Sequence, residues 1–319
     1  MLHSFVRSNE QSSIYLFPIL KMQKLLKYSV IILVLVAIAD FFVGKTGDYL
    51  VKNLPDYGDN LIVKPYYALQ KAQGNILILG SSRAEHHYDT RILQKKFPNH
   101  TIYNAGQHNQ GMNYALCVLQ SCLEKKIPEL VILDCEPEVL GDELTSSIST
   151  LKLYYNENKN VKNHLSRTFK DKMLMKSGFY IYNSVIIKLF LDSRLPYTQD
   201  TLMGFAPLQG TLDTALTKYN EKTFPSLLDG AINDFNDIIS LSKKYGFKLC
   251  VCISPYYYHQ NENALPYIAV KNICNKTKIP CFDYMNDGYF DSNPQLFRDV
   301  NHLNEKGAAI FTEKFSDNI

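Results

Sequence analysis

Two kinds of apolar patterning divide the chain. Residues 28–44, YSVIILVLVAIADFFVG, are apolar on every face except at Asp40 and follow Lys21, Lys24 and Lys27. A helix needs about 20 apolar residues to cross a bilayer. The stretch 25–44 reaches that length once Lys27 extends its ammonium to the headgroups and Asp40 lies at the opposite interface. Because the cationic flank comes first, the positive-inside rule keeps the N-terminal side cytoplasmic and sends the remainder outward. The pattern predicts a cytoplasmic tail over 1–24, a transmembrane signal anchor over 25–44 and a connector over 45–73. A cleavable signal peptide competes, with Ala37-Ile38-Ala39 as its cleavage site. Against it, the apolar run continues through Phe41, Phe42 and Val43 and the segment before Lys21 is long and irregular. A buried core helix would be striped rather than apolar all round.

Beyond the connector, short apolar runs alternate with helical spacing, as in a parallel sheet with crossover helices. Strands are predicted over 76–79, 101–103, 130–133, 248–253 and 280–283, each rich in Ile, Val or Leu and bounded by polar or Gly residues. Helices are predicted over 90–97, 112–125, 227–245, 264–277 and 304–315, the last with Asn304 as its N-cap. Residues 141–224 break the rhythm, being polar and Tyr-rich with a weak helical patch over 182–191, and read as a large insertion between the third and fourth strands. Such an insertion suits substrate specificity, a lid or a partner surface.

Composition narrows the function. With 34 basic and 31 acidic residues the net charge is +3, which gives no broad field for a phosphate backbone and argues against nucleic acid as a partner. Of the seven cysteines, Cys135, Cys250 and Cys252 sit inside apolar runs as small hydrophobes, and the Cys250/Cys252 spacing puts both on alternate-face strand geometry rather than in a zinc knuckle. No metal or cofactor is expected. Cys274 and Cys281 are candidates to pair in an oxidising compartment. The run Tyr256-Tyr257-Tyr258 either lines a groove or packs at the surface.

Ligands of an open parallel sheet bind at the carboxyl ends of its strands. The first strand ends in Gly80-Ser81-Ser82-Arg83, the second in Asn104-Ala105-Gly106, and Asp299-Val300-Asn301-His302 precedes the final helix. A serine hydroxyl needs a base, and the base needs a partner to hold its tautomer. Ser82, His302 and Asp299 supply the three roles, the D-x-x-H spacing keeping carboxylate and ring on one local turn. The turn after Gly80 can aim N–H groups at a developing oxyanion, and Gly106 can bring another. Arg83 either binds an anionic group on substrate or pairs with neighbouring carboxylates. His86 and His87 follow one helical turn on, and as neighbours they cannot point the same way. Glu136 and Glu138 either touch the site or serve as a cap or ion pair.

The stretches NILILGSSRAE, YNAGQHNQG and RDVNHLNEKGAAIFTEKF resemble blocks I, II and V of the SGNH (GDSL) hydrolase superfamily. The resemblance covers about 74–140 and 246–316 and is greatest to membrane-anchored envelope members that transfer or remove acyl groups. It implies a three-layer α/β/α sandwich with a five-stranded parallel, flavodoxin-like sheet over 74–319, Ser82 as nucleophile, and Asp299 and His302 as its relay. The third block departs: where the superfamily has G-x-N-D, this chain has Asp134-Cys135-Glu136-Pro137-Glu138. Loss of one oxyanion donor costs about a hundredfold or more, and Asn109, Gln107 and Arg83 are the candidate substitutes. Ser81 replaces the Asp of the family motif and is the alternative nucleophile.

The leading expectation is therefore a serine ester hydrolase or O-acyltransferase acting on an acylated carbohydrate or other envelope polymer, an integral-membrane acyl-donor protein being the expected partner for transfer. The alternative is a catalytically degenerate module of the same fold that binds glycan or scaffolds an envelope complex. Phosphate binding at Gly80-Ser81-Ser82 is disfavoured because no P-loop Lys follows.

Overall fold

The computed structural model describes residues 2–54, 63–70, 72–141, 148–194, 201–214 and 226–319, so parts of the expected connector and insertion lie outside the described residues. Helix α1 (Leu2–Lys52) holds a segment, Met22–Lys52, long and apolar enough to cross a membrane and unburied over its apolar window. It runs on past the expected end at residue 44, and Leu50, Val51 and Leu54 are buried in the domain core. The start of the expected connector is thus helix and core. Helix α2 (Val63–Gln70) then packs on the domain.

The domain alternates strands and helices: β1 (Ile76–Leu79), α3 (Ser82–His87), α4 (Thr90–Lys96), β2 (Ile102–Asn104), α5 (Met112–Leu123) and β3 (Leu130–Asp134). The insertion follows, with α6 (Lys159–His164), α7 (Phe169–Leu174), α8 (Gly178–Tyr182) and α9 (Ile186–Asp192). After it come α10 (Asp229–Tyr245), β4 (Lys248–Ile253), α11 (Leu265–Thr277), β5 (Cys281–Asp283), α12 (Gly288–Asp291) and α13 (Glu305–Ser316). The weak helical patch at 182–191 is split between the end of α8 and α9. All strand pairs are parallel, in the order β2-β1-β3-β4-β5.

Strand residues alternate between two apolar layers, as a period of two requires. Leu77, Leu79, Val131, Leu133 and Val251 face α5, α10 and α11, while Ile76, Ile78, Ile132, Cys250 and Cys252 face α4 and α13. This is the three-layer α/β/α sandwich expected. The reversal of strand order after β2 puts the β1 and β3 carboxyl ends side by side, the place where open parallel sheets bind their ligands.

Candidate active site

Gly80 ends β1 at φ +144°, and a Cβ there would stand 2.6 Å from the Asp134 carbonyl oxygen, so only glycine lets the chain turn beside β3. Ser81 caps α3: its Oγ accepts from the Arg83 N–H at 3.3 Å and donates to Glu136 Oε2 at 2.7 Å. Ser82 is the first helical residue, where backbone N–H groups have no intrahelical acceptor.

The Ser82 Oγ lies 2.8 Å from His302 Nε2, and His302 Nδ1 lies 2.9 and 3.0 Å from the two Asp299 oxygens. A carboxylate accepts only, so the Nδ1 proton points at Asp299 and Nε2 accepts from the Ser82 hydroxyl. Asp299 Oδ1 also accepts the Asn301 and His302 N–H groups at 2.9 and 3.0 Å, folding the D-x-x-H segment into one tight turn. Partial burial pushes the Asp299 carboxyl up, but its bonds to the His302 ring and these N–H groups outweigh that and hold it below the ordinary carboxylate range. Ser82 is 8% exposed, so only a small part of it meets solvent. The structure brings the three side chains together across some 220 residues of chain.

Arg83 turns into the protein interior. It is fully buried, donating to the carbonyls of Asn301 at 2.9 Å, Pro255 at 2.8 Å and Ser254, with its guanidinium 3.6 Å from the centre of the Tyr256 ring. It ties the loop after β4 to the loop carrying His302, a positioning task in place of the expected substrate contact. Tyr256 is buried beneath it and lines no groove. His87 is likewise structural: its Nδ1 pairs with Ser254 Oγ at 3.0 Å and its Nε2 accepts from the Leu303 N–H at 3.0 Å. Burial, then the Arg83 charge, drives its pKa well down, so the ring stays neutral. His86 turns the other way, its ring 5.5 Å from that of His302 and its Nδ1 2.6 Å from the Ala206 carbonyl.

Gly106 holds its place by contact. A Cβ there would stand 2.6 Å from the Ala84 Cβ and the Glu85 nitrogen. Its N–H, expected to face an oxyanion, instead donates to Asn104 Oδ1 at 3.0 Å. The Gln107 N–H goes to Gly80 O at 3.2 Å and the His108 N–H to Glu85 Oε2 at 2.8 Å. Asn109 stands exposed in the left-handed region at φ 59°, next to His108, whose ring lies 6.5 Å from that of His302.

Several contributors had weak or no sequence signals. Asn104, buried, also donates to Ala84 O at 2.7 Å, and a polar residue ending an apolar strand could have marked it. Lys64 pairs with Glu85 at 3.0 Å with both side chains buried, fixing the α3 flank from α2. From the insertion, residues 201–214 lace along this flank: Asn104 N–H to Met203 O at 2.8 Å, Ala206 N–H to Glu85 O at 3.1 Å and Leu212 N–H to Phe297 O at 2.8 Å. Gly204 allows the first contact, at φ +84° and with a Cβ position 2.1 Å from Asn104 O. Among the described residues no group of three or more His, Cys, Asp or Glu is arranged to hold a metal ion.

A family model described as "Protein of unknown function (DUF1574)" matches residues 31–304. No curated protein matches the chain. Among solved structures, the acetyl xylan esterase AlAXEase is similar at 14% identity and TM-score 0.38, over 76% of this chain and 99% of that one. A mutant of an acetyl-xylooligosaccharide esterase from Geobacillus is similar at 10% identity and TM-score 0.35, over 75% and 90% of the two chains.

Proposed function

This chain belongs to the DUF1574 family, and we propose that it is a serine-dependent ester hydrolase or O-acyltransferase of the SGNH type, working through an acyl-enzyme on Ser82. The observation that carries the reading is the continuous relay from Ser82 Oγ through His302 to Asp299, with 2.8 and 2.9 Å links. In the first step the Ser82 proton passes to His302 Nε2 as Oγ bonds to the ester carbonyl carbon. Asp299 stabilises the imidazolium that forms. The carbonyl oxygen becomes an oxyanion, to which we assign the Ser82 N–H and the Asn109 amide as donors. When the carbon–oxygen bond to the alcohol breaks, His302 returns the proton to the leaving oxygen. Water then hydrolyses the acyl-enzyme, or a sugar hydroxyl takes the acyl group.

The acyl group proposed is acetyl, because the His86 and His108 rings stand 5.5 and 6.5 Å from the His302 ring and narrow the space beside the relay. The substrate proposed is an acylated carbohydrate of the cell envelope: with 25–44 as a membrane anchor and the Lys flank inside, the domain faces outward. Transfer would take its acyl group from an integral-membrane partner. The detergent-solubilised full chain should turn over p-nitrophenyl acetate, and Ser82→Ala should abolish it while Ser81→Ala lowers it through the lost cap. Turnover that survives Ser82→Ala defeats the proposal.

One observation favours a second reading, a degenerate glycan-binding module: the Gly106 N–H is already taken by Asn104, and no third-block amide stands in its place. A wild-type chain without turnover that still retains acetylated glycan selects that reading.

A further inference from the structure

The end of the molecule where α1 meets the insertion carries a cavity that shares no residue with the Ser82 site. The sequence here joins helix to domain without slack. Gly44 and Gly178 pack backbone to backbone, a Cβ on Gly178 falling 2.3 Å from Gly44 N, and Gly47 lies under the Tyr182 ring. Asp40 Oδ1 accepts the Ser177 hydroxyl at 2.7 Å and the Phe179 N–H at 2.8 Å, while Asp48 Oδ1 accepts the Tyr182 hydroxyl at 2.6 Å and the Asn156 amide at 2.9 Å.

Beside this joint opens a cavity of about 680 Å³, lined by Phe41, Lys45, Lys162, Lys172 and Lys176. Both carboxylates at its wall are occupied by the bonds just given. Nearby lysines that have carboxylate neighbours use them: Lys52 pairs with Glu157, Lys159 with Glu124 and Lys188 with Asp192. Among the described residues none of the four cavity lysines makes an ion pair. Lys45 and Lys162 instead stand 5.7 Å from the Phe41 and Tyr155 ring centres. Four lysines lining one hollow concentrate positive charge there, which an anion seated among them stabilises. Depth fixes which anion. With 25–44 crossing the bilayer, Phe41 lies about 5 Å inside the apolar boundary at 1.5 Å per residue, so the cavity opens at headgroup level.

We propose that this cavity seats the phosphodiester headgroup of an anionic membrane lipid, its acyl chains descending along the Phe41 side of α1. The proposal rests on the reading of this helix as a membrane span. Seated there, the lipid clamps the α1–α8 joint and sets the height of the domain above the bilayer.

Because the chain has no Trp, Phe41→Trp gives a single fluorescent reporter. The full chain carrying it, in phosphatidylcholine nanodiscs, is titrated with phosphatidylglycerol or phosphatidylcholine brominated in the acyl chains. The lysine charges should lower the half-quenching mole fraction for brominated phosphatidylglycerol roughly tenfold below that for phosphatidylcholine. Adding Lys172→Gln with Lys176→Gln should remove the preference, whereas Lys159→Gln with Lys188→Gln, at ion-paired lysines, should leave it. Equal quenching by the two lipids, or a preference that survives Lys172→Gln and Lys176→Gln, overturns the proposal. Abolition of the preference by millimolar inorganic phosphate assigns the hollow to a free anion and overturns the lipid. No quenching by either lipid means that the span reading itself has failed.

Discussion

Asp299→Asn separates the charge of the relay from its geometry. In the structure Oδ1 of Asp299 holds the turn through the Asn301 and His302 N–H groups, and an asparagine oxygen can keep both bonds. What is lost is the negative charge beside the imidazolium formed during acyl transfer. Two unit charges about 4 Å apart interact by about 4 kcal/mol at an effective dielectric of about 20 and by about 1 kcal/mol in bulk water. The Asp299 side chain is 51% exposed, against 17% for His302, so the true value lies between these limits. About 2 kcal/mol corresponds to a loss of roughly thirtyfold in kcat/KM. That is far milder than the roughly 10⁴-fold seen when a buried relay carboxylate is replaced. The assay is p-nitrophenyl acetate hydrolysis by the detergent-solubilised full chain, with unfolding followed alongside to show that the turn survives. A 10⁴-fold loss would refute the screening argument, and an unchanged rate would remove Asp299 from the relay.

Four further outcomes are expected. Arg83→Lys trades a three-carbonyl clamp for a single ammonium and should cost about 2–4 kcal/mol, read as a lower unfolding midpoint in urea. Gly106→Ala forces a Cβ to within 2.6 Å of the α3 backbone, so esterase activity should fall with stability, while Asn109→Ala should lower activity alone. Asp134, buried against Tyr88, has its carboxyl pushed up to about 6 by burial against the opposing pull of Arg83 and the Tyr88 hydroxyl. A raised carboxyl favours the folded state below its unfolded value and loses that advantage as pH rises through the folded one. Asp134→Asn should therefore gain on wild type by about 2 kcal/mol between pH 4 and pH 7, and a difference in stability that stays flat across this range would contradict it. Among the cysteines, Cys281 is partly exposed and its thiol is lowered by its bond with Cys274 and by Lys271. Burial pushes Cys117, Cys122, Cys135, Cys250 and Cys252 up, so alkylation mapped by mass spectrometry should reach Cys281 first.

The strands are legible because β1 to β4 are short apolar runs largely buried on both faces, with only β5 at the sheet edge part-exposed, and parallel order follows from the helices between them. Ser82, His302 and Asp299 were legible because such residues stand out immediately after strands or before a capped helix. Arg83 misleads for a physical reason: a cation beside a nucleophile reads as a substrate clamp, yet its acceptors are the carbonyls of residues 254, 255 and 301, and carbonyls leave no mark on sequence. The Asn104 bond to Gly106 is hidden in a different way: a polar residue ending an apolar strand marks Asn104, but not that its oxygen takes the Gly106 N–H. The Lys64–Glu85 pair and the strap at 201–214 depend on contacts between segments separated by insertion and connector, which no local periodicity encodes. Hydropathy marks where the apolar run of α1 stops, at residue 44, and not where the helix does, at Lys52; Gly44 and Gly47 are contact surfaces for the insertion.

Covalent labelling by a fluorophosphonate examines the central claim most directly, because the probe bonds only to a serine whose proton a neighbouring base can remove. Peptide mapping of the labelled full chain should find a single adduct on Ser82, absent after His302→Ala. An unlabelled chain, or an adduct on Ser81 in its place, would contradict the account.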